Sequence, residues 1–165
     1  MKRQGKPRYW VGWREWIALP ELAIDAIKIK VDTGASTSAI HAVHVKRFKE
    51  DGRDRVRFVV HPIQRRTDTT VHCVADIFDE RQVTSSTGHR ETRLVIRTPI
   101  LIGGRSWPIE LTLANRDTMG FRMLLGRAAM HGRLLVDPSA SYLAGAADAD
   151  APLARARKKS PPRSE

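Results

Sequence analysis

The sequence predicts a small, mainly β domain, a mostly antiparallel barrel or sandwich. Short runs rich in Val, Ile and Thr recur between Gly, Pro and Asx turn signals, one run alternates apolar and charged residues, and helical spacing is confined to one stretch near the end.

In chain order, Trp16 to Leu19 is strand-like, and Pro20-Glu21 punctuates it as a turn. Ile27, Ile29 and Val31 then alternate with Lys28, Lys30 and Asp32, a period of two that puts Asp32 on the face opposite the apolar one. Val56 to Val60, Val71 to Phe78, Arg93 to Ile96, Ile100 to Ile102 and Pro108 to Leu113 read as further strands. Gly103-Gly104 marks a tight hairpin. Leu124 to Leu135 carries apolar residues at helical spacing with Gly126 and Gly132, which predicts one short helix. These boundaries give a basic N-terminal arm over 1–8, a folded domain over 9–143 and a disordered basic tail over 144–165, rich in Ala with Pro152, Pro161 and Pro162.

The 165 residues suit one domain, and 41% hydrophobic residues suffice for a core. No run approaches the ~20 apolar residues of a membrane span, and Arg14 and Glu15 interrupt any signal-peptide core, so a soluble cytoplasmic protein is expected. The single cysteine, Cys73, excludes an intrachain disulfide framework. The formal charge of +11 is concentrated at the ends, because residues 9–150 hold 20 basic and 17 acidic side chains. No basic stripe within a recognisable module is visible, so a specific nucleic-acid partner is not expected.

The stretch Val31-Asp32-Thr33-Gly34-Ala35-Ser36 places an acid at a strand end, followed by a hydroxyl, a Gly and small residues. That pattern describes a tight turn that brings backbone amides close to a carboxylate. By itself it is equally a plain Asx-type turn. A second element, Met123-Leu124-Leu125-Gly126-Arg127, sits ahead of the expected helix.

Asp-Thr-Gly-Ala-Ser early and Leu-Leu-Gly-Arg late in a small β-rich domain resemble the retropepsin-like aspartic peptidases. Within that group the chain is similar to the bacterial family found beside RimK-type glutamate ligases and often labelled an ATP-dependent zinc protease. The resemblance takes in Gly12-Trp13-Arg14-Glu15-Trp16, Leu19-Pro20-Glu21-Leu22, the segment from Lys30 to Ala42, His61-Pro62, Leu125-Gly126-Arg127 and Leu135-Val136-Asp137-Pro138-Ser139. It implies a closed β-barrel and an aspartic endopeptidase in which Asp32 is catalytic, with Thr33, Gly34, Ala35, Ser36, Leu125 and Gly126 supporting its loop. It also implies a flap, for which Thr84 to Glu91 with Ser86, Thr87 and Gly88 at the tip is the candidate. Aspartic peptidases need two carboxylates sharing a proton. Asp117-Thr118-Met119-Gly120 does not repeat the motif, so a homodimer would have to bring two copies of Asp32 together. The distance from Asp32 to Gly126 implies an insertion relative to minimal viral members, provisionally Gln64 to Gly88. Lys28 and Lys30 share strand parity with Asp32, and a cation beside that acid would oppose proton sharing.

Neither half of the zinc and ATP label has support in the residues. No His-Glu-x-x-His exists, His41 and His44 fall on opposite faces of a strand, and no phosphate-binding Gly-rich loop with Lys-Ser/Thr is present, so neither metal nor cofactor is expected and a zinc metallopeptidase is the least favoured reading. Basic residues within 9–150 are 16 Arg and 4 Lys. Arginine's planar fork suits carboxylates, so an acidic peptide or protein tail is the expected substrate, with Arg65, Arg66, Arg90 and Arg127 as candidate contacts. The resemblance implies a RimK-type partner ligase that adds glutamates to a ribosomal protein, which makes that ligase or the ribosome a candidate partner. The competing class is a non-catalytic binding or regulatory module on the same fold.

Overall fold

A computed structural model describes residues 7–63, 69–84, 87–115 and 120–145. The strands are β1 (Tyr9–Val11), β2 (Arg14–Leu19), β3 (Ile24–Val31), β4 (Ser38–His41), β5 (Val43–Glu50), β6 (Arg53–Val60), β7 (Val71–Asp76), β8 (Asp79–Thr84), β9 (Arg90–Ile102), β10 (Arg105–Ala114), β11 (Met123–Leu125) and β12 (Leu134–Val136). A single helical turn, α1 (Arg127–Met130), lies between the last two.

Six strands close into a barrel in the order β10-β4-β11-β3-β2-β9, because β10 pairs in parallel with β4 on one side and antiparallel with β9 on the other. Closure removes free edges from the ring. Its interior is filled by the apolar faces of these strands, with Leu19, Ile24, Ile27, Ile29, Ile40, Ile96, Ile100, Ile102, Leu111, Met123 and Leu125 essentially fully buried. Each such side chain contributes roughly 1.5–3 kcal/mol of transfer free energy. In β3 the expected alternation holds, with Ile27, Ile29 and Val31 buried, Lys30 exposed and Lys28 partly exposed. The turn after β2 is a 3-10 turn over Pro20–Leu22, closed by Ala23 in the left-handed region.

Three features depart from the strand expectations. Arg93–Ile96 and Ile100–Ile102 are one continuous strand, β9, running through Pro99. The two-residue Gly103-Gly104 turn, with φ of 55° and 78°, makes Ile102 and Arg105 the first pair of the ladder. Counting back by alternate pairs puts Pro99 opposite Pro108 at a position where neither residue needs to donate a ladder hydrogen bond. The helix from Leu124 to Leu135 shrinks to α1, with β11 before it and β12 after it. Outside the barrel, besides β8 and the β1–β12 pair, lies a three-stranded sheet, β5-β6-β7, which begins at Val43, ahead of the segment from Gln64 to Gly88 expected to hold the insertion, and enters that segment only with β7. Its charges pair as solvated surface ions: Arg55 with Glu50 and Asp76, Arg53 with Asp76, and Arg47 with Glu80 of β8.

Ala144, just beyond the expected boundary at 143, belongs to the described residues. Ala144 packs against the core, and its N–H donates to the Glu15 carboxylate at 2.7 Å. No helix among the described residues is long and apolar enough to cross a membrane.

Candidate active site

Asp32 follows the last residue of β3, and its backbone is pinned by β11, whose Leu125 carbonyl accepts the Asp32 N–H at 2.9 Å. β11 is threaded between β3 and β4, parallel to the first (Leu125 opposite Val31) and antiparallel to the second (Leu124 opposite Ala39). The Leu-Leu-Gly segment therefore passes directly behind the Asp-Thr-Gly loop. The loop turns on itself as Gly34 N–H donates to Asp32 Oδ1 at 2.9 Å and Ala35 N–H to the Asp32 carbonyl at 3.3 Å. A β-carbon on Gly34 would stand 3.2 Å from that carboxylate oxygen, a tight approach that would push on the Asp32 side chain.

The far side of the loop is tied to α1. Arg127 N–H donates to the Ala35 carbonyl at 2.8 Å, Ala128 N–H to Ser36 at 3.0 Å, and Gly126 N–H to the buried Ser38 hydroxyl at 3.0 Å. The Arg127 guanidinium donates through Nη1 to the Thr33 carbonyl at 3.0 Å. Arg127 is thus brought to the loop, engaged with its backbone. Thr33, Gly34 and Ser36 are exposed, Asp32 is half-buried, and Leu125 and Gly126 are buried beneath.

Asp32 opens onto a cleft of about 200 Å³ whose other walls are Ala35 to Ala39, Thr112, Leu124, and Val83 and Arg93. The last two come from the β8–β9 hairpin, paired from Asp79 opposite Val95 to Thr84 opposite Arg90. The last pair of this ladder, Thr84 opposite Arg90, falls within Thr84 to Glu91, the stretch expected to hold a flap. Thr87 and Gly88 are exposed there, Gly88 with φ of 82°, while Ser86 lies outside the described residues. Asp32 is the only carboxylate among the described residues that line this cleft.

Arg93 was not singled out from the sequence. Its side chain is largely covered, and among the described residues its buried Nε has no hydrogen-bond partner and its only ion-pair contact is a 3.6 Å approach to Glu91. Arg90 is exposed at the hairpin tip and does not line the cleft. Arg65 and Arg66 lie outside the described residues, as does most of Asp117-Thr118-Met119-Gly120. Lys28 Nζ lies over the Trp16 ring, 5.4 Å from its centroid, and Lys30 is exposed.

The remaining histidines and the cysteine do not converge. His41 is buried in β4, His44 is exposed at the start of β5, and His61 contacts Thr69 and Thr70. Cys73 is a small core residue whose thiol is pushed up to about 11 by burial. Among the described residues no three His, Cys, Asp or Glu side chains come together as a metal site.

The Gly12-Trp13-Arg14-Glu15-Trp16 stretch has a structural explanation. Glu15 is fully buried, and burial raises its carboxyl above the ordinary range, with the backbone N–H groups of Ala144, Gly12 and Leu143 acting in the opposite direction. Arg14 bonds Ser141 at 3.1 Å and stacks over Trp13 and Tyr142, while Trp13 N–H donates to the Ala140 carbonyl. A side chain on Gly12 would collide with Ala140 backbone, so this strand start is shaped to receive the segment 140–144. Val31 N–H in turn donates to the Trp13 carbonyl at 2.8 Å, which links that seat to the residue before Asp32.

The RimB-like family, described as retropepsin-like aspartic endopeptidase RimB, matches residues 10–147. Among curated proteins, a probable alpha-L-glutamate ligase of Desulfotalea psychrophila is 52% identical over 129 residues, 78% of this chain and 28% of that protein. A probable alpha-L-glutamate ligase of Shewanella pealeana is 48% identical over 138 residues, 84% of this chain and 30% of that protein. The chain thus spans less than a third of the length of these relatives. The crystal structure of a Legionella pneumophila protein of unknown function shares the fold, with a TM-score of 0.69 at 22% identity over 84% of this chain and 99% of that one. Since the family match runs from Trp10 past the whole barrel, the chain belongs to the RimB-like family of retropepsin-like aspartic endopeptidases.

Proposed function

We propose that this chain is an aspartic endopeptidase that works as a homodimer, with Asp32 from each copy forming the catalytic pair. The observation that carries the reading is the Asp32 loop. Its carboxylate is aimed by the Gly34 N–H and its backbone is braced by Leu125 and α1 at the floor of a cleft under a β-hairpin. In the paired site one ionised carboxylate accepts a proton from water, which attacks the peptide carbonyl, while the protonated carboxylate donates to the carbonyl oxygen. The pair titrates as a unit. Asp32 is the only carboxylate among the described residues of the cleft, and in this reading the second comes from the other copy across a two-fold axis. The mechanism needs neither metal nor cofactor.

The β8–β9 hairpin is the flap in this reading, and Arg93, on its β9 arm and lining the cleft, is the cation that receives an acidic side chain of the substrate. Glutamate-rich peptide tails fit that chemistry. Peptide cleavage by wild type, Asp32→Asn and chelator-treated protein tests the assignment. Activity that survives the chelator and is lost in the variant is expected, and activity that follows the chelator instead would identify a metallopeptidase.

A second reading draws on the relatives named probable glutamate ligases, in which the matching segment is less than a third of the protein. In that reading the domain binds and regulates a glutamate ligase or a ribosomal component without cleaving it. Partner binding that persists in Asp32→Asn, with no peptidase activity in either form, is its signature.

A further inference from the structure

A second cavity, of about 380 Å³, shares no lining residue with the Asp32 cleft. It is formed where β1, the start of β10 and the turn between α1 and β12 meet, and its walls include Tyr9, Arg105, Trp107, His131 and Arg133. Among the described residues no Asp or Glu lines it. Each arginine lies against an aromatic ring. The Arg105 guanidinium carbon lies 3.3 Å from the Tyr9 ring centroid, and that of Arg133 lies 4.9 Å from the Trp107 ring centroid. Among the described residues neither arginine makes an ion pair. Arg105 Nε is buried with no hydrogen-bond partner. The sequence leading up to Tyr9 holds Lys2, Arg3, Lys6 and Arg8 and no acid.

The rigidity of the site follows from the fold. Arg105 is the first residue after the Gly103-Gly104 turn, and Trp107, two positions along, is fixed by its indole N–H donating to the Ala129 carbonyl at 2.9 Å. Arg133 N–H donates to the Met130 carbonyl at 2.9 Å, and Tyr9 N–H to the Arg133 carbonyl at 2.9 Å, which ties the three elements together. Cations lodged against aromatic faces keep their guanidinium edges available for an anion, and a buried Nε without a partner remains uncompensated until one arrives.

We propose that this cavity is an anion-binding site for a carboxylate-bearing peptide segment, separate from the Asp32 cleft. Planar guanidinium forks match carboxylates, and the Tyr9 and Trp107 walls receive the methylene carbons of an acidic side chain, which a bare inorganic anion lacks. The site would hold an acidic chain whether or not the protein cleaves it, so it does not depend on the peptidase reading.

The test is binding of a fluorescently labelled oligoglutamate peptide to the full chain, followed by anisotropy at fixed ionic strength, with an oligoglutamine peptide and inorganic phosphate as competitors. Wild type and Arg47→Gln, which removes an equal charge from the outer sheet, should bind alike. Arg133→Gln should weaken binding by about tenfold, and Arg105→Gln with Arg133→Gln by more. Arg133 is exposed, so its single variant remains informative if the double variant loses its fold. Oligoglutamine and phosphate should compete poorly. The proposal is overturned if Arg47→Gln weakens binding as much as Arg133→Gln, if Arg93→Gln abolishes binding while Arg133→Gln leaves it intact, or if phosphate competes as well as the peptide.

Discussion

Gly126 lies against the carbonyl of Thr37 so closely that a β-carbon on it would stand 2.6 Å from the carbonyl carbon and 2.7 Å from its oxygen, both backbone atoms that cannot swing aside. The requirement at this position is therefore one of space. Gly126→Ala is expected to cost roughly 1–3 kcal/mol, the range for overpacking a filled site. It should also displace the Asp32 loop, seen as a lower thermal midpoint together with lost peptidase turnover. Ala substitution at Gly120, where nothing stands within 4 Å, should change the midpoint little.

Ser38→Ala tests the same brace by a different route. Its hydroxyl is buried and accepts the Gly126 N–H, so deletion strands a buried donor, at a cost of about 1–3 kcal/mol. Chemical denaturation should show a lower midpoint with an unchanged slope.

Arg93 separates charge recognition from catalysis. Arg93→Gln should raise KM for acidic peptides by about tenfold and leave kcat and the cleavage of neutral peptides nearly unchanged, as expected when one charge-assisted contact is lost. Equal losses on acidic and neutral peptides would show instead that Arg93 shapes the hairpin.

Glu15 predicts a pH dependence with a definite sign. Its folded-state carboxyl titrates above the unfolded value of about 4.5, so the native state binds its proton more tightly than the unfolded chain does. Its contribution to stability is complete below that value and is lost as pH rises through the raised folded value. Relative to wild type, Glu15→Gln should gain thermal midpoint as pH climbs from the ordinary Glu range towards neutrality. A difference that stays flat across that window would contradict the buried, protonation-linked role.

The Asp32 loop, the β3 alternation and the Gly103-Gly104 hairpin were legible because each is local chemistry. An acid followed by Thr-Gly, a strict two-residue period and a pair of glycines need no tertiary knowledge. β5 and β8 were not legible, since their residues are mostly exposed on both faces and carry no apolar alternation. Arg93 was hidden for the same reason: only its pairing opposite Arg81 of β8 places it over the cleft. Glu15 was read as an interruption of an apolar run, whereas its meaning comes from Ala144, 129 residues away. The clustering of Arg105 and Arg133 likewise depends on β1 running beside β12, a parallel pairing between the two ends of the domain that no local signal announces.

The most direct measurement of the central claim is peptidase activity in mixtures of wild-type and Asp32→Asn protein, equilibrated so that subunits exchange, at constant total concentration. If each active site needs one Asp32 from each of two copies, activity falls with the square of the wild-type fraction, and an equal mixture retains about a quarter of it. A linear fall, with about half the activity left in the equal mixture, would mean that a single copy of Asp32 suffices and would contradict the paired-carboxylate account.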